Sequence, residues 1–354
     1  MNDADVGTVR IGDVVIGAGR PVYVVAEAGV NHDGDVRRAV ALIDAAKSAG
    51  ANAVKFQAFR AAALVTHDAS AATYQQRQTQ VRTQRDLLSR LELPPEAFAA
   101  LARLCGDVGI EFLATPFGTD DLAMLMRLGV RAIKIASSDI TNVPLLTAAA
   151  AGGRPLLIST GAAEIEEIDA AVELLEKAGA RDRLVLLHCV SSYPTRESDA
   201  NLRRIAAMAA RYRRPVGFSD HTTSIEIGGI AAAAGAVLLE KHITLDRRQA
   251  GPDHSFSLEP EQFAEYVAGV RKVEGMLGHG RFGCLDVERD VRRLARPSVV
   301  AAEPIAAGQR IRRQVLAIKR PGTGIAPADL ERVVDRIAAV DIAADTPIGW
   351  EMLR

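Results

Sequence analysis

The chain has 354 residues, enough for one large domain with a small one, or for two medium ones. It is 48% hydrophobic and 25% charged with a net charge of −1, so no sequence-wide field draws it to nucleic acid or to an anionic membrane. Aromatic residues at 4% are too scarce for a base-stacking platform, and no window approaches the ~20 apolar residues of a membrane span.

Cys105, Cys189 and Cys284 are far apart and form no CxxC pair, which fits a reducing compartment and argues against a cysteine-based zinc site. The start, MNDADVGTVRIGDVV, lacks the basic and apolar regions of a secretory signal, so a cytoplasmic location is expected. Residues 8–19 alternate in short runs separated by Gly-Asp and Gly-Ala-Gly, a hairpin pattern that would cap the bottom of a barrel. A rhythm then begins. VYVVAEAG (22–29) reads as a strand, and VRRAVALIDAAKSAG (36–50) as a helix ending near Gly50. Further strands are AVKFQ (53–57), EFLATPF (111–117), AIKIAS (132–137), PLLIST (155–160), LVLLHC (184–189), PVGFSD (215–220) and VLLEKHIT (237–244). Helical patterns fill the gaps, among them 95–109, 164–179 and 197–213. Eight strand–helix units in roughly 260 residues are the arithmetic of a (β/α)8 barrel. The competing doubly wound sheet calls for a glycine-rich phosphate loop after its first strand, and AEAGVNHDG is not one.

Barrel chemistry sits at the C-terminal ends of strands. In order, those ends carry Glu27; Lys55 and Gln57; Thr115; Lys134, Ser137 and Asp139; Ser159 and Thr160; His188; Ser219, Asp220 and His221; and Glu240, Lys241 and His242. A third polar cluster, Asp253–His254–Ser255, follows in a Gly-Pro-punctuated loop. His221 and His242 at matching strand ends, beside an acidic loop, suit a divalent metal such as Mn²⁺, Mg²⁺ or Zn²⁺. Lys55 and Lys134, with Ser137, Ser159 and Ser219 as further donors, suit a phosphate or carboxylate. Glu27, Asp139 and Asp253 are available for hydroxyl recognition or proton transfer. The residues alone predict a metal-dependent lyase, aldolase or transferase acting on a small anion.

The connection 58–94 is long for a barrel, polar and Ala-rich, with Tyr74, Gln75 and Gln78 on a predicted helix; it reads equally as a lid or binding wall and as a solvated insertion. Near 278 the pattern changes. Residues 281–295 carry a charge run that reads as a linker helix after a barrel domain of 1–280. Residues 296–354 form a small block in which EPIAAGQRI (303–311) and VDIAADTPI (340–348) share a shape. Between them, KRPGTGIAP (319–327) is a rigid turn presenting Lys319 and Arg320 outward.

The stretches AEAGVNHDGD, AVKFQ, LATPF, IKIASSDITNVPLL, LISTGA, LLHCVSSYPT, GFSDHT, LLEKHITLD, GPDHSFSLEP and KRPGTG, in this order, resemble the sialic acid synthase family. That family condenses phosphoenolpyruvate with an N-acylated hexose. The resemblance covers 22–354 and implies a TIM barrel followed by a small β-rich SAF (antifreeze-like) domain over 296–354. It implies a domain-swapped homodimer in the cytoplasm. His221 and His242 would ligate Mn²⁺ or Mg²⁺. Lys55, Thr115, Lys134, Ser137, Ser159 and Ser219 would hold phosphoenolpyruvate. Glu27, Gln57, Tyr193 and Asp253 would face the sugar, an N-acyl hexosamine type. Arg320 of a second copy would touch its N-acyl group. Asp139 stands where the family often has Glu, a position tied to water activation, while Gln78 and Ser191 replace Asn of some members. KRPGTGIAP and the YQQ…LLSRLEL loop look closer to synthases of legionaminate-like sugars and spore-coat polysaccharides. The alternatives are another metal-dependent barrel reaction on a keto acid, such as aldol cleavage, and a catalytically retired carbohydrate-binding member.

Overall fold

A computed structural model describes residues 7–72, 75–76 and 79–354. Tyr74 and Gln78 of the long connection lie outside the described residues. The chain divides into two compact units, Met1–His279 and Gly280–Arg354.

The first unit opens with the expected hairpin, β1 (Val9–Ile11) paired antiparallel with β2 (Val14–Ile16). Eight parallel strands follow: β3 (Tyr23–Gly29), β4 (Ala53–Ala58), β5 (Glu111–Pro116), β6 (Ile133–Ile135), β7 (Leu156–Ser159), β8 (Leu184–Cys189), β9 (Val216–Asp220) and β10 (Leu238–His242). They form one sheet in the order β5-β4-β3-β10-β9-β8-β7-β6. The last strand therefore pairs with the first, as in a TIM barrel, and β5 packs beside β6 to leave one seam without a hydrogen-bonded ladder.

Strand side chains alternate between faces, and here the two faces are two cores. Val24, Ala26, Val54, Phe56, Phe112, Ile133, Ile158, Leu186, Phe218 and Leu239 face outward and pack under the helices. Tyr23, Val25, Ala53, Leu113, Leu157, Val185, Leu187 and Leu238 face inward, where Val9, Ile11 and Ile16 of the hairpin join them. The hairpin thus plugs the bottom of the barrel. The same inward register, continued toward the strand ends, delivers Glu27, Lys55, Gln57, Thr115, Lys134, Ser159, Cys189, Ser219, Glu240 and His242 to the top. Gly217 is the inward residue where no side chain fits: a Cβ there would lie 2.5 Å from the Leu238 carbonyl oxygen.

Parity corrects three strand-end residues. His188 faces outward, where it stacks on Phe218 and its Nε2 lies 2.8 Å from the Ala200 carbonyl. Asp220 and Lys241 also face outward and bond to each other. Lys241 Nζ donates to Asp220 Oδ2 at 2.7 Å and to the Thr222 carbonyl at 2.6 Å, under the ring of Tyr266. They are structural groups between the barrel and its helices.

The helices at Val36–Ser48, Pro95–Val108 and Ile165–Lys177 match the sequence reading. The first ends with Gly50 at φ +82°, its N–H donating to the Lys47 carbonyl while Ala51 reaches back to Ala46. The pattern over 197–213 is not one helix. A 3₁₀ turn at Glu197–Asp199 is followed by Asn201 at φ +47°, and the α-helix starts only at Arg203. A left-handed residue breaks the ladder that the apolar spacing alone implied.

In the second unit the former linker segment carries a helix at Arg289–Ala295. Strands β11 (Ser298–Ala301) and β12 (Leu316–Lys319) pair antiparallel. The two similar segments meet directly, Ile305 and Ile342 exchanging both backbone hydrogen bonds at 2.9 Å. Ile305, Ile311, Ile342 and Ile348 then share one core. Lys319 and Arg320 are exposed.

Both side chains of the Asp220–Lys241 pair are fully buried. Lys241→Met would leave the Asp220 carboxyl without its ammonium partner in the core, so denaturant unfolding should show a loss of about 3–5 kcal/mol.

Candidate active site

At the C-terminal end of the barrel lies a cavity of about 520 Å³ lined by the inward strand ends and the loops that follow them. Its floor is a run of alternating charges. Lys55 Nζ lies 2.8 Å from Glu27 and 3.6 Å from Glu240. Lys134 Nζ lies 3.7 Å from the other oxygen of Glu240. Thr115 Oγ1 accepts from Lys55 at 2.9 Å, Ser219 Oγ donates to Glu240 at 2.9 Å, and Gln57 donates to Glu27 at 3.2 Å.

Burial alone would neutralise all four charges. It lowers the pKa of Lys55, but Glu240 and Glu27 outweigh it and the net shift is upward. Burial would raise Glu240, but Lys134 and Lys55 outweigh it and hold the carboxylate ionised. Lys134 is lowered by burial, with Glu240 opposing. Glu27 is raised by burial, with Lys55 opposing.

The two imidazoles also line the cavity, their ring centroids 5.7 Å apart. His221 Nδ1 donates to the Val190 carbonyl at 2.8 Å, leaving Nε2 as the nitrogen with a free lone pair. His242 Nδ1 is buried without a hydrogen-bond partner and lies 3.8 Å from Asp253 Oδ2. Burial lowers both imidazoles, His242 well below the ordinary value. Tyr193 packs on His221 with centroids 4.5 Å apart, and Phe256 meets the edge of His242 at 4.9 Å. Among the described residues no group of three or more His, Cys, Asp or Glu is gathered as a metal cage.

Asp253 is carried by a loop that is tied down at several points. Ser257 Oγ donates to the Asp253 carbonyl at 2.6 Å, and Asn31 Nδ2 donates to Ser257 Oγ at 2.8 Å and to the Ile243 carbonyl at 2.9 Å. His254 Nε2 faces both oxygens of Asp33 at 3.2 Å, which leaves Nδ1 to accept from Thr244 Oγ1 at 2.6 Å. The Gly29–Asp35 and Ile243–Ser257 loops are thereby clamped together.

Comparison with known proteins places the chain in a family. A model of the NeuB family matches residues 42–282, and an SAF domain model matches 296–354. The chain belongs to the NeuB family. It is 39% identical to an N,N'-diacetyllegionaminic acid synthase of Legionella pneumophila over 95% of both chains. It is 36% identical to the enzyme of that name from Campylobacter jejuni, over 92% of this chain and 98% of that one. Among solved structures, an N-acetylneuraminic acid (sialic acid) synthetase from Leptospira borgpetersenii in complex with citrate has a TM-score of 0.73 and 37% identity, covering 81% of this chain and 95% of that one.

For this NeuB-family chain, the cavity brings together Glu27, Lys55, Gln57, Thr115, Lys134, Ser137, Ser159, Tyr193, Ser219, His221, His242 and Asp253. Asp139 is not on its wall: the carboxylate turns to Asn142 Nδ2 at 2.8 Å and Ser138 Oγ at 3.3 Å. Arg320 belongs to the second unit. Glu240, placed at its strand end by the sequence reading but given no role there, bridges both lysines. Its signal was present, since it stands two residues before His242 on the same strand and shares its face. Ser191, 3.4 Å from Ser137 Oγ, also lines the cavity, as does Cys189.

Burial, and then Glu27, push Asp253 up to about 7. A carboxyl raised in the fold gives stability that is fully present below its unfolded value and lost as pH rises through about 7. Asp253→Asn removes that loss. In chelator-treated protein its melting temperature should exceed the parent's by about 3 °C or more at pH 8, with a smaller gain at pH 5.

Proposed function

We propose that this protein condenses phosphoenolpyruvate with an N-acylated hexose to give a nine-carbon 2-keto-3-deoxy sugar acid and phosphate. The observation that carries the reading is one cavity lined by two buried lysines and two neutral imidazoles. The family supports it, as do relatives named for making legionaminic and neuraminic acids.

Lys55 and Lys134 would hold the phosphate and carboxylate of phosphoenolpyruvate, with Thr115, Ser137, Ser159 and Ser219 as neutral donors. Ser159 Oγ is buried without a partner, as a donor awaiting an anion would be. Glu27, Gln57, Tyr193 and Asp253 would take the sugar's hydroxyls. C3 of phosphoenolpyruvate attacks C1 of the open-chain aldehyde, forming the new C–C bond. Water adds at C2, and the C–O bond to phosphate breaks, leaving the 2-keto group. The lysines stabilise the charge that develops on the phosphate, in a site where preorganised charge acts with little screening. Asp139, turned toward Asn142, is not assigned to water activation.

A divalent cation fits this site on the evidence of the orphaned His242 Nδ1 and the free lone pair on His221 Nε2. The depressed pKa of both rings keeps them in the neutral form that ligates. Imidazole nitrogen suits Mn²⁺ better than Mg²⁺, and water or substrate oxygens would complete the shell. When bound, the ion would supply polarisation of the acceptor carbonyl. The resemblance adds a homodimer in which Arg320 of a second copy meets the N-acyl group.

The test is phosphate release from phosphoenolpyruvate that depends on an N-acetylhexosamine, with a nine-carbon acid found by mass spectrometry. Lys134→Met should lower kcat/KM for phosphoenolpyruvate about 10²-fold. His242→Ala should abolish turnover and weaken metal binding more than about tenfold in calorimetry; unchanged metal affinity would sink the assignment. Arg320→Ala should raise KM for the sugar while sparing that for phosphoenolpyruvate.

A further inference from the structure

In the second unit, the turn that carries Arg320 is built around one buried hydroxyl. Strand β11 pairs with β12 along one edge, where Ser298 stands opposite Lys319. Val299 turns its polar groups to the other edge. Its N–H donates to the Ile325 carbonyl at 2.8 Å, and its carbonyl accepts from the Ile348 N–H at 2.9 Å. The chain leaving β12 at Lys319 must therefore cross the start of β11 to reach Ile325, and the crossing is the stretch 320–324.

Ser298 stands at that crossing and is wholly buried. Its Oγ donates to the Pro321 carbonyl at 2.6 Å and accepts from the Gly324 N–H at 2.9 Å, so a single hydroxyl spans the turn. A third tie comes from the preceding helix: the Gly322 N–H donates to the Arg293 carbonyl at 2.8 Å, in the last turn of Arg289–Ala295. The turn lies close on what holds it. A Cβ on Gly322 would meet Arg296 Cβ at 3.0 Å and the Arg293 carbonyl oxygen at 3.2 Å.

The two cations of the turn are held differently. Lys319 Nζ pairs with Asp345. Arg320 is exposed, and its guanidinium makes no hydrogen bond or ion pair among the described residues. No side-chain contact in the chain orients Arg320, so its reach is set by the backbone that Ser298 holds. A planar guanidinium that must meet a substrate group at a fixed angle depends on that backbone being fixed.

The structure assigns Ser298 as a positioning residue: its hydroxyl fixes the 320–324 turn and, through it, the presentation of Arg320 to the acceptor. The inference rests on the reading that gives Arg320 the N-acyl group of the sugar. A serine that served only to stabilise the fold would reduce the amount of active protein and spare both KM values.

The experiment is steady-state kinetics on the full-length, metal-loaded protein, well below its melting temperature, with phosphoenolpyruvate and an N-acetylhexosamine that supports phosphate release. Ser298→Ala should raise KM for the sugar at least about fivefold and leave KM for phosphoenolpyruvate within about twofold of the parent's. In an Arg320→Ala background the same change should add less than about twofold to KM for the sugar, because the group it positions is already gone. Gly322→Ala crowds the turn away from Arg293 without touching the hydroxyl. It should give the same split between substrates, and it serves if Ser298→Ala fails to melt cooperatively. Folded Ser298→Ala or Gly322→Ala protein with the parent's KM for the sugar would overturn the inference while Arg320→Ala still raised it. So would an effect of Ser298→Ala that is undiminished in the Arg320→Ala background. Arg320→Ala with an unchanged KM for the sugar would overturn the reading of Arg320 itself, and the inference with it. Phosphate release with no N-acetylhexosamine would overturn the condensation reading and everything that rests on it.

Discussion

Two lysines cannot be placed inside a barrel without something to hold their charge, and that constraint organises the first unit. Lys55 and Lys134 are almost wholly buried, and Glu240 between them lies within 3.7 Å of both. Burial alone would favour the neutral amines; Glu240 and Glu27 oppose it, lifting Lys55 above its ordinary value and offsetting part of the lowering at Lys134. Ser219, Thr115 and Gln57 then take up hydrogen bonds left over by the four charged groups. Positive charge also reaches His242, where His221, Lys55, Lys241 and Lys134 add to burial in lowering the imidazole well below its ordinary value. Anion site and imidazole pair are therefore one electrostatic object.

The alternation of strand side chains decides which residues join that object. Ser219-Asp220-His221 and Glu240-Lys241-His242 read as two uniform polar clusters, yet each is split by the pleat. Ser219, His221, Glu240 and His242 enter the cavity, while Asp220 and Lys241 pair beneath Tyr266 on the other face. One run of three residues thus supplies both the chemistry of the site and a buried tie between barrel and helices. A one-residue slip in register would exchange the two roles completely.

The strands were legible because both faces of a parallel barrel strand are buried, which leaves a short apolar run in the sequence. Their order followed from the alternation with helices, and the position of the site from the polar ends. What did not follow depended on contacts that periodicity does not encode. The break at Asn201 is a single left-handed residue inside an otherwise helical pattern. Asp139 looked catalytic at its strand end, but it sits on a 3₁₀ turn whose neighbour Asn142 captures the carboxylate. Glu240 was visible at its strand end, but its role was not, because its partners Lys55 and Lys134 are more than a hundred residues away in sequence. In the second unit, the likeness of 303–311 and 340–348 was visible, and its meaning is pairing: the segments bond to each other at Ile305 and Ile342.

The rigidity of the site comes from its loops as much as from its strands. The turn after β3 and the long loop after β10 are joined through Asn31, Ser257, Thr244, His254 and Asp33. This network has a strand end at each side and carries Asp253 in its middle. Catalysis by fixed charges requires that those charges not reorient when the substrate's charge moves. A carboxylate on a free loop would swing toward Lys55 as soon as burial raised its energy. Here the Asp253 carbonyl is held by Ser257, and its neighbour His254 by Asp33. Asp253 therefore stays beside His242 although burial disfavours its charge there, and that disfavoured position is the one from which it can meet a substrate hydroxyl.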